Sequence, residues 1–171
     1  PLTKVEFKTM PGGGNPRAQE LSFTILDVQH NKITVSISPK LGLHYFYDCM
    51  PMATYEEYLA SEGSEDEAVC RFLDERIDYG ADYFSCTRLE YLEDMGAVIG
   101  KQKWTFTSLE EDTEYMVVAA TVDMNTGKIA LRKPFMSEVV RTGILIESDA
   151  SIEFIIDKYY LFKFIQINGV T

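Results

Sequence analysis

The stretch Leu109-Glu-Glu-Asp-Thr113-Glu-Tyr115-Met-Val-Val-Ala-Ala-Thr-Val122 decides the fold. It reads as a tight corner followed by a strand. Thr113, Tyr115, Val117, Ala119 and Thr121 fall on one face at period two, and Met116, Val118, Ala120 and Val122 on the other. Leu109, six residues before Tyr115, is placed to cap a core at the corner, where a tyrosine hydroxyl can bond back to upstream backbone. The strand is apolar on both faces, and so is His44-Tyr-Phe-Tyr-Asp-Cys-Met50. A strand that packs on one partner needs only one apolar face, so both segments call for a second cover.

The flanking sequence supplies more strands. Leu21 to Val28 alternates through Leu21, Phe23 and Ile25, and Ile33-Thr-Val-Ser-Ile37-Ser alternates strictly between apolar and hydroxyl residues. Lys101 to Thr107 reads as a strand with Trp104 and Phe106 on one face, and Trp104 is expected to fill core volume. Asp123-Met-Asn-Thr-Gly127-Lys reads as a hairpin turn with Gly127 at positive φ; the later ligands of a calcium loop are missing. A last strand is expected from Ile129 through Leu131 to Phe135. Beyond Met136 the residues to Thr171 are again β-rich, and form either a docked hairpin or the start of a second domain. Residues 1–20, with Pro11-Gly-Gly-Gly-Asn-Pro16, read as an arm or linker. No Gly-Lys-Ser/Thr follows the glycines, so they are no phosphate cradle.

The missing cover is expected from residues 54–95. Thr54-Tyr-Glu-Glu57, Ser64-Glu-Asp-Glu67 and Thr87-Arg-Leu-Glu90 each fit a capping box. Val69, Phe72, Leu73 and Ile77 then recur at helical spacing with Gly80 closing the run, and Leu89, Leu92 and Met95 form a shorter stripe closed by Gly96. Thirteen acids in this segment face only Arg71, Arg76 and Arg88, so a balance of −10 out of the chain's −11 lies here. The expected arrangement puts the stripes on the outer sheet face and the acids in water. Nucleic acid and anionic membrane are poor partners for such a surface.

The 171 residues hold one domain, or one domain plus a fragment, with a core that does not depend on disulfides. Cys49, Cys70 and Cys86 match no zinc spacing and are expected as free thiols; export would allow one disulfide without fixing the pair. No cofactor or metal motif is present in the sequence. A loose calcium contact through Glu62 to Glu67 is the weakest of the ligand readings. His30 and His44 carry no nucleophile elbow or oxyanion motif with them; a Cys49–His44 or a Ser–His–Asp arrangement is the enzyme alternative they leave, and the acids are too abundant to single out a glycosidase pair. The start at Pro1 without a methionine fits a chain from which an export signal has been removed.

Taken together, Tyr45-Phe-Tyr47, Tyr55 and Tyr58 in a helical insertion, and Leu109…Thr113-x-Tyr115…Asp123…Phe135 resemble a fibronectin type III-like domain of surface lipoproteins from gut bacteria. The resemblance spans about Leu21 to Met136. The sequence departs from it at Ile37, near the place of the usual strand-B tryptophan. It implies a mainly β, immunoglobulin-like sandwich over residues 21–136, with the helical insertion 54–95 between the His44–Met50 strand (strand C) and the Lys101–Thr107 strand (strand E), and β strands C-terminal to it. It implies a non-enzymatic module of the cell surface or periplasm for adhesion, scaffolding or ligand binding, with a protein or glycan partner. Membrane contact would come only through a lipid anchor outside this chain. The alternative is a hydrolase with an unrecognised active site. Candidate ligand-binding residues are Tyr79, Tyr83, Phe84 and Tyr91, an aromatic platform; Leu109, Thr113, Tyr115 and Trp104 are structural.

Overall fold

The computed structural model describes residues 21–40 and 42–145; the expected N-terminal arm and the sequence beyond Leu145 lie outside the described residues. The described chain is mainly β, with antiparallel sheets and three helices. Strands β1 (Leu21–Val28), β2 (Ile33–Pro39) and β5 (Gln102–Phe106) form one sheet in the order β1-β2-β5. Strands β3 (His44–Pro51), β4 (Val98–Ile99), β6 (Glu114–Asp123), β7 (Lys128–Ile129) and β8 (Phe135–Arg141) form the other, with β3 and β8 both paired to β6. Helices α1 (Met52–Glu62), α2 (Glu65–Phe84) and α3 (Arg88–Tyr91) fill the connection from β3 to β4, and a wide helical turn, Leu92–Gly96, follows α3. None of the helices among the described residues is long and apolar enough to cross a membrane.

The two apolar faces of β3 and β6 each meet a partner. Tyr45 and Cys49 of β3 and Tyr115, Val117 and Ala119 of β6 share a core with Ile33, Val35 and Ile37 of the three-stranded sheet. The alternate residues, Phe46 and Met50 with Met116, Val118 and Ala120, share a second core with Val69, Phe72, Leu73 and Ile77 of α2. Phe72 is 8% exposed. Helix α2 carries Glu65, Asp66 and Glu67 in its first turn, where carboxylates complement the helix dipole. Burial raises the thiols of Cys49 and Cys70 to about 12, so both stay protonated as small apolar fillers.

The corner before β6 is closed by polar contacts. The backbone N–H of Glu110 donates to the Tyr115 hydroxyl at 3.0 Å. Thr142, buried, donates from Oγ1 to the Glu110 carbonyl at 2.6 Å and accepts from the Thr113 N–H at 3.0 Å. Leu109 packs against the inter-sheet core beside them.

Several expectations are corrected. Trp104 shares the Val35 face of its sheet, but at the edge, and it is 52% exposed; Phe106, opposite Ile33, enters the core instead. Gly80 does not end α2. The helix runs on to Phe84 and stops at Ser85, whose φ of 54° is the left-handed cap. Thr54 caps nothing, because α1 already begins at Met52 after Pro51; Ser64 stands at an N-cap without a side-chain bond. Only Thr87 and Glu90 complete the reciprocal box. Met95 is exposed, so the short stripe reduces to Leu92 with partly buried Leu89. The expected last strand shrinks to Lys128–Ile129, and the long pairing with β6 is made by β8, which carries the sheet past Met136 to Arg141. Leu131 and Arg132 break the run at positive φ, and Arg132 bonds Glu67 and Asp74 of α2.

Two substitutions separate the layers' contributions. Tyr115→Phe removes one partly buried hydrogen bond and is expected to lower stability by about 1–2 kcal/mol in denaturant unfolding. Phe72→Ala opens a hole between helix and sheet and is expected to cost about 3–5 kcal/mol in a single cooperative transition. A wild-type midpoint for Phe72→Ala would show that the helical layer is dispensable to the fold.

Candidate functional site

The site grows from an unpaired edge. Strand β4 is two residues long and pairs only with His44 and Tyr45, because Gly100, at φ 75°, turns the chain away. The Tyr45 hydroxyl donates to the Gly100 carbonyl at 2.8 Å and holds that turn. From Phe46 to Pro51 the side of β3 away from β6 has no strand partner among the described residues. Helix α2 passes over this free edge.

Asp48 is the one charged residue in the middle of β3. Its Oδ1 accepts from the Cys49 N–H at 2.7 Å, and its Oδ2 accepts from Arg76 Nε of α2 at 2.5 Å. The carboxylate therefore caps a backbone donor on the free edge while binding the helix to the strand. The Arg76 guanidinium lies 5.5 Å from the Tyr79 ring centre, and its terminal nitrogens make no hydrogen bond among the described residues.

Beyond this pair the structure brings Tyr79, Tyr83, Phe84 and Tyr91 together. Tyr79 and Tyr83 stack at 6.3 Å, Tyr83 meets Phe84 edge-on at 5.0 Å, and Phe84 stacks on Tyr91 at 6.3 Å. Phe46, in the core beneath, meets the edge of Tyr91 at 6.4 Å. The rings surround an open hollow of about 370 Å³ with Asp48 and Arg76 on its wall, within the size range of small-ligand sites. Tyr79, Tyr83 and Phe84 are 61%, 71% and 51% exposed. Contiguous exposed rings, unlike singly scattered ones, are a mark of interaction surfaces.

Tyr91 is fixed by two glycines. A Cβ at Gly80 would lie 2.7 Å from both Cε atoms of its ring, and one at Gly96 would lie 2.8 Å from Cε1. Gly80 is thus a seat for the ring inside a continuous helix. Burial, followed by the Asp48 charge, raises the Tyr91 hydroxyl above its ordinary range, so it remains a neutral donor.

Of the residues read from sequence, the four rings converge, while Leu109, Thr113 and Tyr115 stand together at the corner before β6. Asp48, Arg76, Phe46 and Gly80 were missed. Asp48 had a signal, a lone charge inside an otherwise apolar and aromatic strand; Arg76 had none. The Cys49–His44 pairing is excluded by geometry. Five residues along one strand put the two on opposite faces and about 17 Å apart. Glu62 and Glu67 bind Arg71 and Arg132, and no cluster of metal-ligating side chains occurs among the described residues.

Gly80→Ala is expected to push Tyr91 out of its seat and to cost about 1–3 kcal/mol by overpacking. Near-ultraviolet circular dichroism should lose tyrosine signal while the far-ultraviolet spectrum stays native; an unchanged near-ultraviolet spectrum would contradict the seat.

No family model, no curated protein and no solved structure matches this chain, so the chemistry of the hollow has to be read from its own side chains.

Proposed function

We propose that the chain is a non-enzymatic binding module of the cell surface whose ligand is a neutral glycan. The two sheets are read as an immunoglobulin-like sandwich of the fibronectin type III kind. In that reading β1, β2 and β5 face β3, β4, β6 and β8, with Tyr115 at the corner between β5 and β6. Export and a surface location follow from the resemblance to lipoprotein modules and are part of the proposal. Fold alone does not name a ligand.

The observation that carries the functional reading is the run of exposed rings beside the Asp48–Arg76 pair. Sugar rings present C–H groups to aromatic faces and hydroxyls at their rims. A carboxylate accepts from those hydroxyls and a guanidinium donates to them, and charge-assisted bonds of this kind exceed neutral ones. Charge selects among glycans. The chain carries −11, so uronic and sialic acids meet a repelling field, whereas neutral sugars meet none. A hydrolase finds less support, because no nucleophile with an adjacent base accompanies the hollow.

Retardation of the intact chain in gels containing neutral or acidic polysaccharides tests the reading. Retention by a neutral polysaccharide is expected. Tyr83→Ala, which removes a largely exposed ring, should weaken it about tenfold, or about 1.4 kcal/mol, without moving the unfolding midpoint. A chain that no neutral polysaccharide retains, or a Tyr83→Ala variant retained as strongly as the wild type, overturns the proposal.

A further inference from the structure

A second cleft adjoins the aromatic hollow. Its volume is about 730 Å³, and it lies between the free edges of β3 and β5, on the other side of Asp48 and Arg76. Those two residues line both spaces, so the ion pair is a shared wall. Trp104 stands at the cleft with its ring edge-on to Tyr47 at 6.4 Å, half exposed on the face that otherwise turns inward. Phe72 at the cleft and Phe84 at the hollow are twelve residues apart on α2, about 18 Å along the helix axis.

From this geometry we infer that the two spaces form one groove, which takes an extended stretch of a neutral, linear oligosaccharide with Trp104 as its second stacking platform. This rests on the glycan-binding reading and adds to it the form of the ligand. A pyranose is close to a phenyl ring in width, so 18 Å exceeds what one or two sugars occupy. Asp48 and Arg76 lie between the two platforms. There the terminal nitrogens of Arg76 and the carboxylate of Asp48 meet the hydroxyls of a central sugar.

An extended peptide is the other occupant such a groove suggests, and β3 is ill suited to it. Strand addition needs the edge donors of β3, yet the Cys49 N–H is already taken by Asp48 and Pro51 has no N–H to give. Asp48 and Arg76 stand where the added strand would run, as charged residues do on guarded edges. Hydroxyl ligands make no such demand on backbone register.

Trp104 is the chain's single tryptophan, so intrinsic fluorescence reports this platform alone. The intact chain is titrated with gluco-oligosaccharides, β-1,4- and α-1,4-linked, from disaccharide to hexasaccharide, by fluorescence and by calorimetry. The expected result is affinity that rises with length, with the tryptophan emission shifting to the blue only for the longer oligomers. Trp104→Ala should cost the hexasaccharide about tenfold and leave the disaccharide unchanged. Tyr83→Ala should weaken both. Trp104→Phe, which keeps a ring and guards against a folding defect, should retain most of the length dependence. Equal affinity for disaccharide and hexasaccharide with a silent tryptophan overturns the groove and leaves the aromatic hollow standing. Binding of no oligomer at any length overturns both readings.

Discussion

The structure depends on one pair of strands that is apolar on both sides. From Tyr115 to Ala120 every residue of β6 is buried, and β3 beside it alternates between two cores. Neither core alone satisfies that pair. Removing the three-stranded sheet would expose Tyr45, Val117 and Ala119, and removing the helices would expose Met50, Met116 and Val118. The valines and methionines among them contribute roughly 1.5–3 kcal/mol each on burial. The helical insertion is therefore a structural layer. Its acidity is tolerated because the charges sit on the far side and because Arg88 of the insertion and Arg132 from beyond β7 meet several of them. Asp74 accepts from Arg88 at 2.6 Å and from Arg132 at 3.0 Å, and Arg88 also donates to the Gly127 carbonyl. These bonds tie the helix to the turns around β7. The Arg88 bonds are half-buried, whereas Arg132 is exposed, so its pairing matters more for placing the layer than for its stability.

What the sequence disclosed follows the range of the interactions involved. Alternation and helical stripes are local patterns, so the strands 21–28, 33–39 and 44–51 and the apolar face of α2 were legible. The corner was legible too, because Glu110 and Tyr115 are five residues apart. Thr142 was not, since it reaches the same corner from 29 residues beyond Thr113. Gly80 misled for a specific reason. Glycine late in a helical stripe reads as an ending, yet here it answers a ring eleven residues further on, which no local pattern encodes. Trp104 misled in the same way: its face was read correctly, but it sits on β5, the edge strand of its sheet. The platform residues were legible as a dense aromatic run, while the polar pair between the two hollows came from elements 28 residues apart.

The groove is a consequence of the two-layer cover. A strand paired along its whole outer edge would close the space between the edges of β3 and β5. Because β4 stops after two residues, β3 keeps an open flank, and α2, about 30 Å long, passes over it. An open flank normally invites aggregation. Here Asp48 takes one of its donors and Arg76 neutralises Asp48, so protection of the edge and assembly of a polar centre are accomplished by the same two side chains.

Rigidity is the last link from sequence to the proposed binding. Long polar side chains on a loop would have to be ordered by their ligand, at about 0.5–1.5 kcal/mol for each one immobilised. The rings of this site need little ordering. Tyr79, Tyr83 and Phe84 project from the last turns of a helix whose other face is in the core, and each leans on a neighbouring ring. Tyr91 is held between Gly80 and Gly96, and Arg76 by Asp48. The Trp104 ring is steadied by Tyr47, which itself packs against the inter-sheet core. A weak stacking contact contributes fully to affinity only when its platform is already in place. An extended neutral ligand offers many weak contacts and no single strong one, so a pre-ordered row of rings on one rigid helix and one sheet edge is the form of site that such a ligand requires.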